Sequence, residues 1–171
     1  SVFGSVAGAA SQDYAIGSGV ITIDVTAAAT RAQVAGDRDY AASTAVIATS
    51  ASVVINGVNF TTQAGTTTLQ SFADQINAQS SVTGVAADLV QSTSGWNIQL
   101  RTLNYGANFS VTVNDQQAIL FNAATSTSAT GTDAAATVSV RNIDGGAVTV
   151  LFTGGKASGD SGLKLTDVKG N

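Results

Sequence analysis

The sequence predicts a mainly β fold of the α+β kind, with antiparallel sheets, one short packed helix and two small subdomains. Three observations predict it. Apolar and polar residues alternate along a series of short runs, an Asn-Gly pair joins two of them, and only "LQSFADQINAQSSVTGV" (Leu69–Val85) opens on a helical stripe. The acidic residues agree: all 11 are Asp, which favours caps and turns over helix interiors.

The N-terminal "SVFGSVAGAASQDYAIGSG" carries little pattern and reads as extended or loose chain. Val20–Val25 then alternates as a strand, and Thr26–Ala35, ended by Gly36, reads as a short second helix. In "VVINGVNF" the runs Val53–Ile55 and Val58–Thr61 flank Asn56-Gly57. A type I′ turn needs positive φ at both central residues, so a tight hairpin is expected there. Thr67 or Thr68 can cap a helix over Thr68–Gln79, in which Leu69, Phe72, Ala73 and Ile76 form one stripe that faces a sheet. Gly84 permits the turn back into a strand at Val85–Val90.

In Trp96–Thr102 the set Trp96, Ile98, Leu100 and Thr102 points one way, while Asn97, Gln99 and Arg101 point the other. Such a strand has one wet face, as antiparallel sheets allow. Further strands are expected at Phe109–Val113, Ala118–Phe121, Thr137–Arg141 and Val148–Phe152. The polar run "NAATSTSATGTDAAA", Asn122–Ala136, reads as a loop or subdomain boundary. The expected organisation is a hairpin-helix-hairpin unit at 51–114, with an N-terminal β segment at 1–50 packing against a C-terminal one at 115–171.

A chain of 171 residues can bury about 70% of the surface its unfolded form exposes. Its 44% hydrophobic content is not that of a disordered chain, and with 6% aromatics its cores must be built from small side chains. Cys, His, Met and Pro are absent. That excludes disulfides, a thiolate nucleophile and a Cys-based metal site. The net charge is −4, and seven scattered Lys and Arg supply no basic face for nucleic acid or an anionic membrane. No apolar run approaches the ~20 residues of a membrane span, and no signal peptide is visible. The chain opens with Ser, and we expect it to be a piece of a longer parent.

Catalytic, cofactor and metal residues are expected to be none. "GDSG" at Gly159–Gly162 matches a serine-protease nucleophile signature, but the chain has no His to act as base. It reads as a turn entering "LKL". "FTGGKAS" departs from a phosphate loop at both ends, with Val150 in place of Gly and Ala157 in place of Ser or Thr. Asp37 and Asp39 in "GDRDY" read as a solvated turn, and Asn142–Gly146 as a turn without a complete Ca²⁺ loop. Asn59-Phe60-Thr61 and Asn108-Phe109-Ser110 match glycosylation sequons by composition.

From Ser52 to Val113 the ordered stretches "SVVINGVNFTT", "TTLQSFADQINAQSSVTGVAADL" and "WNIQLRTLNYGANFSVTV" resemble the flagellin IN motif. That motif occurs in the surface domains of bacterial flagellins and in filament-cap (hook-associated) proteins. Its residues here are Ile55, Asn56, Gly57 and Val58, then Ile76, Asn77 and Ala78, then Thr83, Gly84 and Val85. Tyr105 and Gly106 in "LNYGANFSV" resemble a flagellin Tyr-Gly pair that precedes a strand. "GTDAAATVSV" and "GSGVITIDVTAAATRAQ" are similar to other segments of the family, the first departing from it at Arg141–Gly145.

The resemblance implies a helix, with Phe72 and Ile76 on its apolar stripe, covering a small sheet, and Asn77 and Gly84 serving as turn and helix-end residues. It also implies assembly through long helical termini, which this chain does not carry as sustained heptads. The expected function is therefore structural: the extracellular, solvent-exposed outer domain of a flagellin. The head of a filament-cap protein is the second reading. A carbohydrate-binding or adhesive β domain is the third, with Trp96, Tyr14, Tyr40 and Tyr105 as stacking residues. The expected partners are other flagellar subunits, reached through parts of the parent absent here, and neighbouring copies of the same domain, with no nucleic acid and no membrane.

Overall fold

The alternating runs become antiparallel strands in a computed structural model that describes residues 11–16, 19–141, 147–154 and 166–167. The strands are β1 (Ser11–Ile16), β2 (Gly19–Ala27), β3 (Gln33–Ala35), β4 (Ala51–Ile55), β5 (Val58–Thr62), β6 (Val85–Gln91) and β7 (Trp96–Thr102). They continue with β8 (Ser110–Asp115), β9 (Thr125–Thr130), β10 (Ala134–Arg141), β11 (Ala147–Gly154) and β12 (Thr166–Asp167). Helices α1 (Leu69–Ala78) and α2 (Ser80–Thr83) lie between β5 and β6. The fold is mainly β and antiparallel, with one helix of any length.

Two compact units form. One is drawn from Ser1–Thr30, Tyr105–Asn108 and Thr132–Asn171, the other from Arg31–Asn104 and Phe109–Gly131. The first holds the sheet β1-β2-β10-β11-β12, with a register irregularity between Ala135 and Ala136 where β10 meets β2. The second holds two sheets, β3-β7-β6 and β5-β4-β8-β9. These boundaries differ from the 51–114 unit read in the sequence. Residues 31–50 contribute β3 and the buried Ile47 to the second unit's core, and 115–131 contribute Ile119, Leu120 and β9.

Helix α1 forms because Thr68 caps it and because its apolar stripe has a core to enter. The Thr68 hydroxyl accepts from Ser71 N at 3.1 Å, and Ser71 Oγ accepts from Thr68 N at 2.9 Å, a reciprocal capping box with Ser in the usual Glu position. Leu69, Phe72, Ala73 and Ile76 are buried. They join Val53, Ile55, Val85, Ile98, Leu100, Val111 and Ile119 in one cluster built from both sheets. The chain leaves through α2 and Gly84, whose φ of 69° is left-handed and whose N–H donates to Ser80 O.

Three expected elements differ. Thr26–Ala35 is not a helix: β2 runs to Ala27, and Gln33–Ala35 pairs with β7, Val34 opposite Leu100. Ala32 and Val34 are buried while Gln33 and Ala35 are exposed, a period of two that the Ala-rich composition hid. Gly36 does not end a helix but lets backbone approach, since a Cβ there would lie 2.5 Å from Leu120 O. Ala118–Phe121 is a turn with Ala118 at φ 56°. The polar run at Asn122–Ala136 contains β9 and the start of β10, because Ser and Thr alternate there against β8. "GDSG", "LKL", Asn142–Gly146, Lys156 and Ala157 lie outside the described residues.

Candidate functional site

Asn56 (φ 46°) and Gly57 (φ 82°) carry the positive φ pair of a two-residue hairpin, with Ile55 opposite Val58. The Asn56 side chain does more than turn the chain. Its Nδ2 donates to Thr83 O and to Ser110 O, both at 2.9 Å. Its Oδ1 accepts from Thr112 N at 2.7 Å and from the Thr112 hydroxyl at 3.0 Å. One amide thus ties the β4–β5 hairpin to β8 and to the end of α2.

Asn77 repeats the device. Its Nδ2 donates to Ala87 O at 2.9 Å and its Oδ1 accepts from Ala87 N at 2.8 Å, so the amide stands in for a neighbouring strand on the outer edge of β6. Thr83 continues this cover, its hydroxyl accepting from Val85 N and donating to Gln79 O. Each Ile-Asn pair therefore divides its work. Ile55 and Ile76 are fully buried, and the following amide satisfies backbone groups of another element.

Replacing Asn77 with Ala should cost about 1–2 kcal/mol, because the N–H and C=O of Ala87 lose their partners at a half-covered edge. Thermal melts should show the loss, and amide exchange at Ala87 should quicken. An unchanged melt with unchanged exchange would remove this role.

Of the other motif residues, Val58 and Val85 pair within their strands, and Ala78 ends α1 on its exposed side. Tyr105 and Gly106 are not brought to this cluster but belong to the other unit. There Gly106 N donates to Thr30 O at 3.0 Å and Ala107 N to Asp133 Oδ1 at 2.7 Å.

The sequence reading missed a second constellation. Asp115 is fully buried at the end of β8, and its carboxylate accepts from the N–H groups of Ile119, Leu120 and Phe121 at 3.0, 2.7 and 3.3 Å. The "GDRDY" segment braces the same turn. Arg38 donates to Ala118 O, Tyr40 OH to Ile119 O at 2.8 Å, and Asp37 Oδ1 accepts from Asn122 N at 2.7 Å. Burial holds the Tyr40 phenol above its ordinary pKa, with Arg38 opposing and Asp115 adding to the shift. Asp37 and Asp39 are exposed, as the sequence reading has them, and Asp37 in addition braces the turn through Asn122. The available signal was an Asp at a strand end followed by "QQAILF", which does not alternate and fits an Asx-type turn.

The outward face of the sheet β5-β4-β8-β9 carries Asn59, Thr61, Ser52, Val54, Ser110, Thr112, Asn114, Ser126, Ser128 and Thr130, none of them charged. A shallow open groove runs over Val54, Thr112, Asn114, Ser126 and Ser128. The other sheet of this unit places Asp88 and Arg101 together in a half-exposed ion pair, a contact that contributes about 0–1 kcal/mol. No cluster of three metal-binding side chains occurs among the described residues.

No protein-family model and no curated protein matches the chain. Solved structures do. The chain is similar to the flagellar cap protein FliD from Bdellovibrio bacteriovorus, with a TM-score of 0.51 and 16% identity over 81% of this chain and 78% of that one. It is similar to the D2-D3 domains of the flagellar cap protein FliD from Serratia marcescens, with a TM-score of 0.50 and 17% identity over 85% and 80%. It is also similar to FliD (HAP2) from Pseudomonas aeruginosa PAO1, with a TM-score of 0.51 and 16% identity over 93% and 83%. At these identities the likeness is one of fold.

Proposed function

We propose that this chain is the outer, β-rich part of a flagellar structural protein of the filament-cap type. The observation that carries this reading is the reach of the likeness. It extends to 93% of the chain, a span that neither unit could supply alone. The Serratia structure is itself of two domains, D2-D3, which accords with the two units here. This moves the reading from the flagellin subunit, which "LNYGANFSV" first favoured, to the cap. The IN-motif amides support a structural role, since Asn56 and Asn77 spend their hydrogen bonds on backbone.

The adhesive reading loses support. Trp96 and Tyr40 pack against the core instead of standing free for stacking. In the proposed role the chain is extracellular and not an enzyme. It meets other flagellar subunits through further parts of its parent, and it has no use for nucleic acid or membrane.

Gold-labelled antibody raised against this chain tests the assignment on flagella of the source organism. A cap places label at one end of the filament. Label along the whole length would return the flagellin reading, and flagella without label would remove both.

A further inference from the structure

We infer that Asn56 is a site of covalent modification by deamidation, and that the four hydrogen bonds on its amide keep it intact while the β4–β5 hairpin stays docked on β8.

The chemistry belongs to the Asn-Gly pair. Asn56 is followed by Gly57, whereas every other Asn precedes a residue with a Cβ or ends the chain. The backbone N of Gly57 can attack the Asn56 amide carbon because no Cβ hinders its approach. The N–Cγ bond forms and the Cγ–Nδ2 bond breaks, with Nδ2 leaving as ammonia and taking up the proton that Gly57 N gives away. Water then opens the five-membered imide at one of its two carbonyls, which leaves either Asp or an isoaspartyl link. Solvent supplies the co-reactant.

The turn leaves the nucleophile free. Gly57 is exposed, its N–H donates to no protein group among the described residues, and a Cβ built there would meet nothing within 4 Å. The amide is the guarded partner. Its Nδ2 donates to Thr83 O and Ser110 O, and its Oδ1 accepts from the N–H and hydroxyl of Thr112. Ring closure turns Cγ toward Gly57 N, makes it tetrahedral and detaches Nδ2, so those bonds must break. All four partners lie on β8 or at the end of α2, outside the hairpin itself. The rate therefore follows how often the hairpin opens from β8.

The change runs one way. A carboxylate only accepts, so the oxygen replacing Nδ2 faces Thr83 O and Ser110 O with no proton to share. An isoaspartyl link also lengthens the backbone inside a two-residue turn. The clamp cannot re-form, and a passing fluctuation becomes a permanent loosening. Asn77, the matching motif amide, precedes Ala78 and lacks this chemistry. None of this depends on what the parent chain assembles into.

Peptide mapping by mass spectrometry provides the test, on the whole chain in mildly alkaline buffer with and without guanidinium chloride. In denaturant Asn56 should deamidate before any other Asn. In the folded chain the same site should react more than about tenfold slower. Thr112→Ala removes one of the four bonds from an exposed side chain. It should speed the reaction in the folded chain and leave the denatured rate unchanged. Gln75→Ala, on the exposed face of α1, should change neither rate. Gly57→Ala, compared in denaturant alone, should suppress the reaction.

Equal rates with and without denaturant would overturn the guarding role. A faster reaction in the folded chain would overturn it too, since the Thr112 donors would then be serving the developing oxyanion. Earlier deamidation at another Asn in denaturant would overturn the site. Asn56→Asp reproduces one product directly and should melt below the parent, and a melt equal to the parent's would overturn the one-way loosening.

Discussion

Asp115→Ala should remove about 3–5 kcal/mol of stability, the largest loss expected from any polar substitution in this chain. The carboxylate is fully buried and serves three N–H donors in consecutive residues. Truncation leaves those donors without partners where water cannot easily replace the oxygens, and each buried orphan costs on the order of 1–3 kcal/mol. The turn also loses what holds Ala118 at φ 56°. Asp115→Asn should lose less, since one oxygen still accepts while the new NH₂ opposes the remaining donor. Urea unfolding monitored through Trp96 gives the comparison. Midpoints matching the parent in both variants would show that the turn stands without its carboxylate.

Phe72→Ala should cost about 3–5 kcal/mol and Ile76→Ala about 2–5 kcal/mol. Both side chains are fully buried between α1 and the two sheets of the second unit. The loss combines transfer of the deleted groups with the cavity left behind, and a helix pinned by a capping box cannot collapse freely into that space. Gln75→Ala, on the exposed face of the same helix, should stay within about 0.5 kcal/mol of the parent. Equal melts for all three variants would mean that the stripe does not carry the core.

Much of the architecture was legible residue by residue. Asn56-Gly57 specified its hairpin because few residues other than Asn and Gly accept positive φ at both turn positions. Thr68 and the stripe from Leu69 to Ile76 specified α1, since cap and period agree. Trp96–Thr102 showed its inward and outward faces through strict alternation, and the burial of Ile98, Leu100 and Thr102 follows it. These signals are local. The physics that reads them acts over one turn or one pleat.

What the sequence could not decide is where a local preference yields to a distant partner. Ala32 and Val34 sit in a stretch of good helix formers, yet lie extended because β7 offers them a ladder and a core. Ser and Thr in 125–130 look like loop until β8 provides the opposite strand. Ala118–Phe121 carries strand-forming residues, but the Asp115 carboxylate captures their N–H groups first. The motif asparagines were legible as turn and helix-end residues. Their bonds to Ser110, Thr112 and Ala87 were not, because those partners lie 10 to 56 positions away. The sequence by itself determined the hairpin, the helix and the faces of the strands, since those depend on φ/ψ preference and period. The tertiary structure alone decided which edges are covered and which polar side chains act as backbone, since each depends on what the folded chain brings alongside.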